Sequence, residues 1–156
     1  MLDATSLVKR LQDMRMSGHL SDAILREAVK TIAAADERFD WVGVYLLDPE
    51  QNELWLHNYV GEGAEHAKIP VGKGVCGTAV AEKRNINVPD VTRCEEYLAC
   101  NEGVRSELVV LIRAGDEILG QIDVDSNQLE AFTEEDEAQL QIVADKLAES
   151  IVADRE

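Results

Sequence analysis

The N-terminal part of the chain, residues 1–37, carries apolar residues at helical spacing. Leu7, Leu11 and Met14 form the stripe of a first predicted helix, and Gly18 is expected to end it.

A second helix is predicted to begin at Ser21, because its hydroxyl can cap the first turn. Leu20 is expected to pack on Leu25 as a hydrophobic staple. Leu25, Val29 and Ile32 continue the apolar stripe of this helix.

After these helices the pattern becomes strand-like. Residues 41–47 are aromatic and β-branched, a polar turn follows at 48–52, and a second strand is predicted over 53–57. A second hairpin is predicted later in the chain, with strands over 104–112 and 117–124.

Between the hairpins, the glycine-rich residues 71–74 lead into a predicted helix over 75–83, whereas 86–105 is expected to be irregular. Thr133 opens the last helix with a capping box that includes Asp136. The apolar face of this helix comprises Leu140, Val143, Leu147 and Ile151. Terminal helices around two hairpins predict an α+β fold, an antiparallel β-sheet with the N- and C-terminal helices packed on it.

The length of 156 residues suits one domain with its own hydrophobic core. We expect residues 1–156 to form this single domain, with helices at 1–37 and a core at 38–156. No apolar run approaches the about 20 residues of a membrane span. The first residues lack the basic and apolar regions of a signal peptide, so a cytoplasmic location is expected.

The net charge is −16, from 31 acidic and 15 basic residues. Such a field repels phosphate backbones and anionic lipid headgroups, so neither nucleic acid nor a membrane is an expected partner. An acidic surface favours solubility without any further function, and it also attracts cationic groups.

Three cysteines, Cys76, Cys94 and Cys100, do not form the framework of a disulfide-stabilised domain. They are either buried small hydrophobic residues or reactive groups. Their spacing is not that of a structural zinc site, and the chain has only three histidines. No metal and no cofactor are therefore expected.

Cys76 and Cys100 are followed by three acids, Glu107, Asp123 and Asp125. Two thiols and three carboxylates in one small domain suggest redox chemistry on a small cationic or zwitterionic ligand. Each residue alone also has a structural interpretation: a small residue at a tight helix start, a buried loop cysteine, or an acid in a salt bridge.

The alternation of side chains along a strand predicts which face of the sheet each acid occupies. Asp123 and Asp125 are two residues apart on a predicted strand and share one face. Glu107 shares its face with Val109 and Leu111, so a carboxylate lies on an otherwise apolar side. Acids crowded in a concave site raise one another's pKa, so that one can keep its proton and donate it.

Trp41 and Tyr45 also fall on one face of their strand. They could line an apolar pocket for the methyl group of a thioether, and a role in the core is an equal alternative.

Four motifs resemble those of the GAF domain, a small sensor and ligand-binding fold: GKGVCGTA at 72–79, VPDV at 88–91, RSEL at 105–108 and FTEED at 132–136. The resemblance extends from residue 41 to about residue 147.

Within this superfamily the chain is similar to one enzymatic branch, the free methionine-(R)-sulfoxide reductases. The positions that match in order and spacing are Cys76, Cys100, Glu107, Asp123 and Asp125, with Trp41 and Tyr45 in a Trp-x-Gly-x-Tyr element.

The resemblance implies that Cys100 attacks the sulfoxide and that Cys76 resolves the product as a disulfide. An external dithiol such as thioredoxin would reopen that disulfide. Glu107, Asp123 and Asp125 would bind the substrate ammonium group and supply a proton.

Two positions depart from the family pattern. His66 stands where the family often has an additional cysteine, and Cys94 is a thiol that the pattern does not assign, here a candidate auxiliary thiol. The VRSE sequence at 104–107 is common in non-enzymatic GAF sensors. The alternative function is therefore a non-catalytic module that binds a small ligand or senses redox state.

A homodimer is also expected. The apolar stripes of the terminal helices offer more apolar surface than one sheet covers, and GAF domains commonly pair through such helices.

Overall fold

The structure is a computed structural model that describes residues 1–63, 66–93 and 103–155. Within these ranges the chain forms four α-helices and six β-strands. The helices are α1 (Ala4–Met16), α2 (Ser21–Ala35), α3 (Gly74–Glu82) and α4 (Glu134–Asp154). The strands are β1 (Trp41–Asp48), β2 (Glu53–Val60), β3 (Lys68–Pro70), β4 (Ile86–Val88), β5 (Ser106–Ala114) and β6 (Glu117–Ser126).

The strands form one antiparallel sheet in the order β3-β2-β1-β6-β5-β4. Both predicted hairpins, β1–β2 and β5–β6, are present, and they join along β1 and β6. The central pair therefore brings together two segments far apart in sequence. The α+β class predicted from the sequence is confirmed.

Two short strands were not predicted. β3 covers Lys68–Pro70 and pairs with β2, and β4 covers Ile86–Val88 and pairs with β5. The prediction that 86–105 is irregular was therefore wrong at its start. Three residues are too few to show a period of two, and these strands are defined by their pairing with longer neighbours.

The predicted start of α2 at Ser21 is confirmed, but the predicted capping contacts are wrong. Leu20 is the N-cap residue, and no side chain caps the helix at this position. Leu20 is also largely exposed, so it does not form the expected staple. The hydroxyl of Ser21 instead donates a hydrogen bond to Asp154 at the end of α4. This contact joins the start of one terminal helix to the end of the other.

The predicted capping box of α4 is confirmed. The Thr133 hydroxyl accepts a hydrogen bond from the Asp136 backbone N–H, and the Thr133 N–H donates to the Asp136 carboxylate. Two N–H groups that the first helical turn would leave without acceptors are thereby satisfied.

Helices α1, α2 and α4 cover one face of the sheet and enclose the main hydrophobic core. This core includes Val42 and Val44 of β1, and Ile122 and Val124 of β6. The opposite face is covered in part by α3, with a smaller apolar cluster. In the described part of the chain, none of the helices is long and apolar enough to cross a membrane.

Candidate functional site

The sheet face beneath α3, together with the first turn of α3, holds every predicted site residue that the structure describes. These residues are Trp41, Tyr45, Cys76, Glu107, Asp123 and Asp125, and all six are buried. Cys94 and Cys100 lie outside the described residues. The structure therefore brings together the predicted acids, the aromatic pair and one of the two predicted reactive thiols.

Strand register aligns the acids of β5 and β6 beside Trp41 of β1. Asp125 of β6 lies opposite Trp41 of β1 on one side and opposite Glu107 of β5 on the other. Asp123 lies one pleat further along the same face, between Gly43 and Val109. Three carboxylates thus occupy neighbouring positions on a sheet face that is otherwise largely apolar.

Cys76 is brought to these acids by the first turn of α3. Gly77 permits the close approach of this turn to the end of β3, because a Cβ there would lie 2.5 Å from the Pro70 carbonyl oxygen. The Cys76 thiol donates a hydrogen bond to Asp123, with Sγ 3.3 Å from Oδ2. Glu107 Oε2 lies 3.7 Å from the same sulfur atom.

Burial sets the ionisation of the two aspartates. Loss of solvent raises the pKa of Asp123 above its ordinary value. The pKa of Asp125 is raised well above its ordinary value, first by burial and then by the charge of Asp123. The expected increase in pKa is present, but its largest cause is burial and not repulsion between the acids.

Among the described residues, three buried carboxylate oxygens of this site accept no hydrogen bond: Oδ1 of Asp123 and both oxygens of Asp125. The interaction with the Glu107 carboxyl only partly offsets the effect of burial on the pKa of both aspartates. A buried polar group without a partner costs about 1–3 kcal/mol, and more when it is charged. Such groups are therefore expected to bind a cationic or proton-donating ligand.

The aromatic residues form a wall beside the acids. Trp41 stacks on Tyr59 with ring centroids 5.6 Å apart, and its indole N–H donates to the Gly63 carbonyl at 2.8 Å. The Tyr45 hydroxyl donates to the His66 backbone carbonyl at 3.1 Å. Both predicted roles of the pair are compatible with this arrangement, because the two rings are buried and Trp41 also borders a cavity.

That cavity has a volume of about 270 Å³ and is lined by Asp40, Trp41, Glu62, Val104, Asp125 and Asn127. Its volume is close to the lower end of the ~300–1,000 Å³ range of small-molecule sites. Three of its lining residues are acidic, so the cavity favours a small ligand with a positive group beside the indole.

Two further residues of this face were missed in the sequence. Gln121 shares the face of Asp123 and Asp125; it is buried, and neither amide atom has a partner among the described residues. Alternation along β6 could have identified it. Gly43 leaves room for the Trp41 ring, because a Cβ there would lie 2.3 Å from Trp41 Cη2.

The cluster also has donor atoms suited to a metal ion. One ligand atom each from Cys76, Glu107 and Asp123 can be chosen so that all lie within 4.8 Å of one another. The sequence did not indicate this set, because its members come from α3, β5 and β6.

Comparison with known proteins agrees with this geometry. A sequence model of the GAF domain family matches residues 19–151. GAF domain-containing protein A of Dictyostelium discoideum is 42% identical over 110 residues, which cover 69% of this chain and 68% of that protein. Free methionine-R-sulfoxide reductase of Escherichia coli strain K12 is 38% identical over 133 residues, which cover 83% of this chain and 78% of that enzyme.

A solved structure shows the same arrangement of the backbone. Free methionine-R-sulfoxide reductase of Neisseria meningitidis, in complex with its substrate, matches with a TM-score of 0.88 at 31% identity, over 97% of this chain and 90% of that chain. The chain therefore belongs to the GAF-domain family and, within it, to the family of the free methionine-R-sulfoxide reductases. The resemblance identified from the sequence motifs is confirmed.

Proposed function

We propose that this protein reduces the (R)-sulfoxide of free methionine to methionine, as an oxidoreductase of the family to which it belongs. The observation that carries the proposal is the buried cluster in which the Cys76 thiol donates to Asp123 beside Glu107. A thiol among carboxylates, with Asp125 of the same sheet face lining a small cavity, combines redox chemistry with recognition of a positive group.

Recognition of the amino acid is assigned to the acids and the aromatic wall. An ammonium group offers three charge-assisted donors, and buried carboxylate oxygens are available to accept them at Asp123 and Asp125. Trp41 lies directly opposite Asp125 and presents an apolar surface for the rest of the side chain. Glu107 and Tyr45 complete the proposed contacts with the substrate.

The first chemical step is assigned to Cys100. Its thiolate attacks the sulfoxide, the oxygen is transferred to the cysteine as a sulfenic acid, and the sulfide of methionine leaves. One proton is consumed at the oxygen. Asp125 is the proposed donor, because burial raises its pKa well above the ordinary range and favours the protonated form.

Cys76 is assigned the resolving step. Its thiol condenses with the sulfenic acid of Cys100, which releases water and forms a disulfide. The hydrogen bond from Cys76 to Asp123 supports this role, because it holds the protonated thiol in place until the sulfenic acid of Cys100 has formed. A dithiol reductant such as thioredoxin then reduces the disulfide by thiol exchange.

The test is turnover with purified protein. Incubation with dithiothreitol and racemic free methionine sulfoxide should consume the R epimer and leave the S epimer. The N-acetyl form should be a poor substrate, because its nitrogen is an uncharged amide. Binding without R-selective turnover would instead support the alternative, a non-catalytic GAF module that binds a small ligand or senses redox state.

The pairing of the thiols needs a separate measurement. Cys94 is close to Cys100 in the sequence, so a Cys94–Cys100 disulfide competes with Cys76–Cys100. Peptide mapping after one oxidation by substrate should recover the Cys76–Cys100 peptide. Recovery of the other pair would assign the resolving role to Cys94.

We retain a homodimer as the proposed assembly, but its original argument fails. Of the residues in these stripes, only Ile151 keeps part of its surface exposed. The others are buried within the chain: Leu7, Leu11, Leu140, Val143 and Leu147. The apolar side chains that remain exposed on or beside the terminal helices include Met16, Leu20 and Ile142. Sedimentation equilibrium at several concentrations would test the dimer, and a constant mass of 17.3 kDa would contradict it.

A further inference from the structure

We propose that the reduced protein binds one zinc-like divalent ion, Zn²⁺ or Cd²⁺, through Cys76, Glu107 and Asp123, and that this ion and the substrate exclude each other. The binding part of this proposal stands on the geometry of the site alone. The exclusion part rests on the proposed function.

The distances from the sulfur atom to the two oxygen atoms are close to those that a tetrahedral ion requires, and all three donor atoms lie within 4.8 Å of one another. With a Zn–S bond of about 2.3 Å and a Zn–O bond of about 2.1 Å, the sulfur and oxygen ligands lie about 3.6 Å apart. The observed distances from Cys76 Sγ are 3.3 Å to Asp123 Oδ2 and 3.7 Å to Glu107 Oε2. An ion can therefore replace the shared thiol proton with small movements of the side chains.

A second observation points to a cation at this place. Both oxygens of Asp125 and Oδ1 of Asp123 are buried without a partner in the described part of the chain. Asp125 lies opposite Glu107 in the sheet, so it is the neighbouring candidate for a fourth ligand. A divalent ion would compensate several buried carboxylates at once, which a single thiol proton does not.

The donor types select the ion. A thiolate is a soft ligand that favours Zn²⁺ and Cd²⁺, whereas Mg²⁺ and Ca²⁺ prefer sites made entirely of oxygen. Binding replaces the S–H bond with a metal–sulfur bond and releases the proton to solvent. The cavity beside Asp125 is also lined by Asp40 and Glu62, so its acidic lining would attract a cation to this side of the site.

The proposed site depends on redox state. A Cys76 that has entered a disulfide no longer offers a thiolate, so the oxidised protein should not bind the ion at this site. In the reduced protein the ion would occupy the carboxylates that bind the substrate ammonium group and would withhold the resolving thiol. Trace zinc would therefore act as a reversible inhibitor, and the substrate would compete with it for the site.

Binding is tested by titrating reduced, chelator-treated protein with Cd²⁺ and following the ultraviolet charge-transfer absorption of the Cd–thiolate bond. One equivalent should bind, Zn²⁺ should displace it, and excess Mg²⁺ should not. Cys76→Ser should remove the absorption. Glu107→Gln and Asp123→Asn should keep a weaker absorption, with an affinity loss beyond the about 10–100-fold that follows loss of an outer-shell partner.

Matched variants decide the donor set. Cys94→Ser and Cys100→Ser remove thiols that are not members of the proposed donor set and should bind as wild type does. Asp116→Asn makes the same change as Asp123→Asn at the exposed turn of the β5–β6 hairpin. Circular dichroism confirms that each variant is folded. The proposal is overturned if absorption persists in Cys76→Ser, if Cys100→Ser abolishes binding, or if wild type binds no stoichiometric ion.

A kinetic measurement tests exclusion separately. At fixed Zn²⁺ the apparent KM for free methionine sulfoxide should rise, and saturating substrate should restore the rate. Stoichiometric binding in a protein without turnover would refute the proposed function and leave the metal site intact. Binding with no effect on KM would refute the exclusion alone.

Discussion

The two faces of β6 have opposite properties although their residues alternate along one strand. Ile122 and Val124 point into the main core beneath the helices. Gln121, Asp123 and Asp125 point to the other face, where several of their polar atoms have no partner in the described residues. One face stabilises the fold. The other buries polar groups that lower the stability of the fold and are suited to binding a ligand.

This difference gives the two faces different mutational signatures. A change on the core face should lower the free energy of unfolding and leave the chemistry of each folded molecule intact. A change on the site face should impair the chemistry without lowering the free energy of unfolding, since polar groups retained for function commonly cost stability. The experiments below test this separation, from the largest expected effect to the smallest.

Removal of the proposed nucleophile should have the largest effect. Cys100→Ser should reduce turnover of free methionine (R)-sulfoxide to background, because a hydroxyl does not replace a thiolate in this chemistry. Cys76→Ser should form about one methionine per enzyme in a single-turnover assay and then recycle poorly with thioredoxin. Full activity of Cys100→Ser would exclude the mechanism.

Loss of the proposed proton donor comes next. Asp125→Asn should lower kcat/KM by about 10²–10⁴-fold, the range of general acid catalysis, without lowering the denaturation midpoint. Asp116→Asn, on the same hairpin but exposed, is the control and should have no effect. A loss confined to the free amino acid, with the slow N-acetyl form unaffected, would leave Asp125 with its proposed contact to the ammonium group and exclude it as the proton donor.

The core face of the same strand should behave in the opposite way. Ile122→Ala removes a fully buried side chain and should lower the free energy of unfolding by about 2–5 kcal/mol. Its kcat per folded molecule should stay at the wild-type value. Denaturant unfolding and active-site titration measure the two quantities, with the exposed Ile142→Ala as control. A large loss of kcat in fully folded protein would show that the two faces are not separable.

A glycine on the site face should affect substrate binding by a smaller factor. Gly43→Ala places a Cβ 2.3 Å from the Trp41 ring, which must then move from its stack on Tyr59. We expect KM to rise about tenfold, the equivalent of roughly 1.4 kcal/mol. Trp41→Phe should show little further loss when combined with Gly43→Ala, because the smaller ring relieves the clash. Additive losses in this double-mutant cycle would exclude the steric explanation.

The smallest effect is on the dependence of stability on pH. The folded-state pKa of Asp125 is raised by burial, so its folded form holds a proton more tightly than the unfolded chain does. The stability that this proton contributes is fully present below pH 3.8, the ordinary pKa, and is lost as pH rises through the raised pKa. The stability of Asp125→Asn relative to wild type should therefore increase with pH over this window.

Asp36, which lies at the end of α2, provides the contrast. Hydrogen bonds from Arg38 lower its pKa to about 2 despite partial burial. Its contribution is present above 3.8 and is lost as pH falls toward 2, so Asp36→Asn should lose stability relative to wild type only above this window. Denaturant midpoints measured from pH 2 to 8 test both signs. Parallel curves for the two variants would contradict the assignment.

The sequence alone determined the regular elements and the family. Helical and strand periods depend on near neighbours, so all four α-helices of the described residues and both hairpins were predictable. Alternation correctly placed Asp123 with Asp125 and Trp41 with Tyr45. The GVCGTA motif and the acids that follow it identified the family before any geometry was known. These features depend on residues that are close together in the sequence.

The tertiary structure decided what depends on contacts between distant segments. The three-residue strands β3 and β4 exist through pairing with β2 and β5, and the hydroxyl of Ser21 bonds to the far end of α4 instead of capping its own helix. The hydrogen bond of Cys76 to Asp123, the burial that raises the aspartate pKa values and the metal-like spacing of the donors arise where α3 crosses β5 and β6. Local pattern specifies which face a side chain occupies, but its solvent exposure and partners depend on which other segments fold against it.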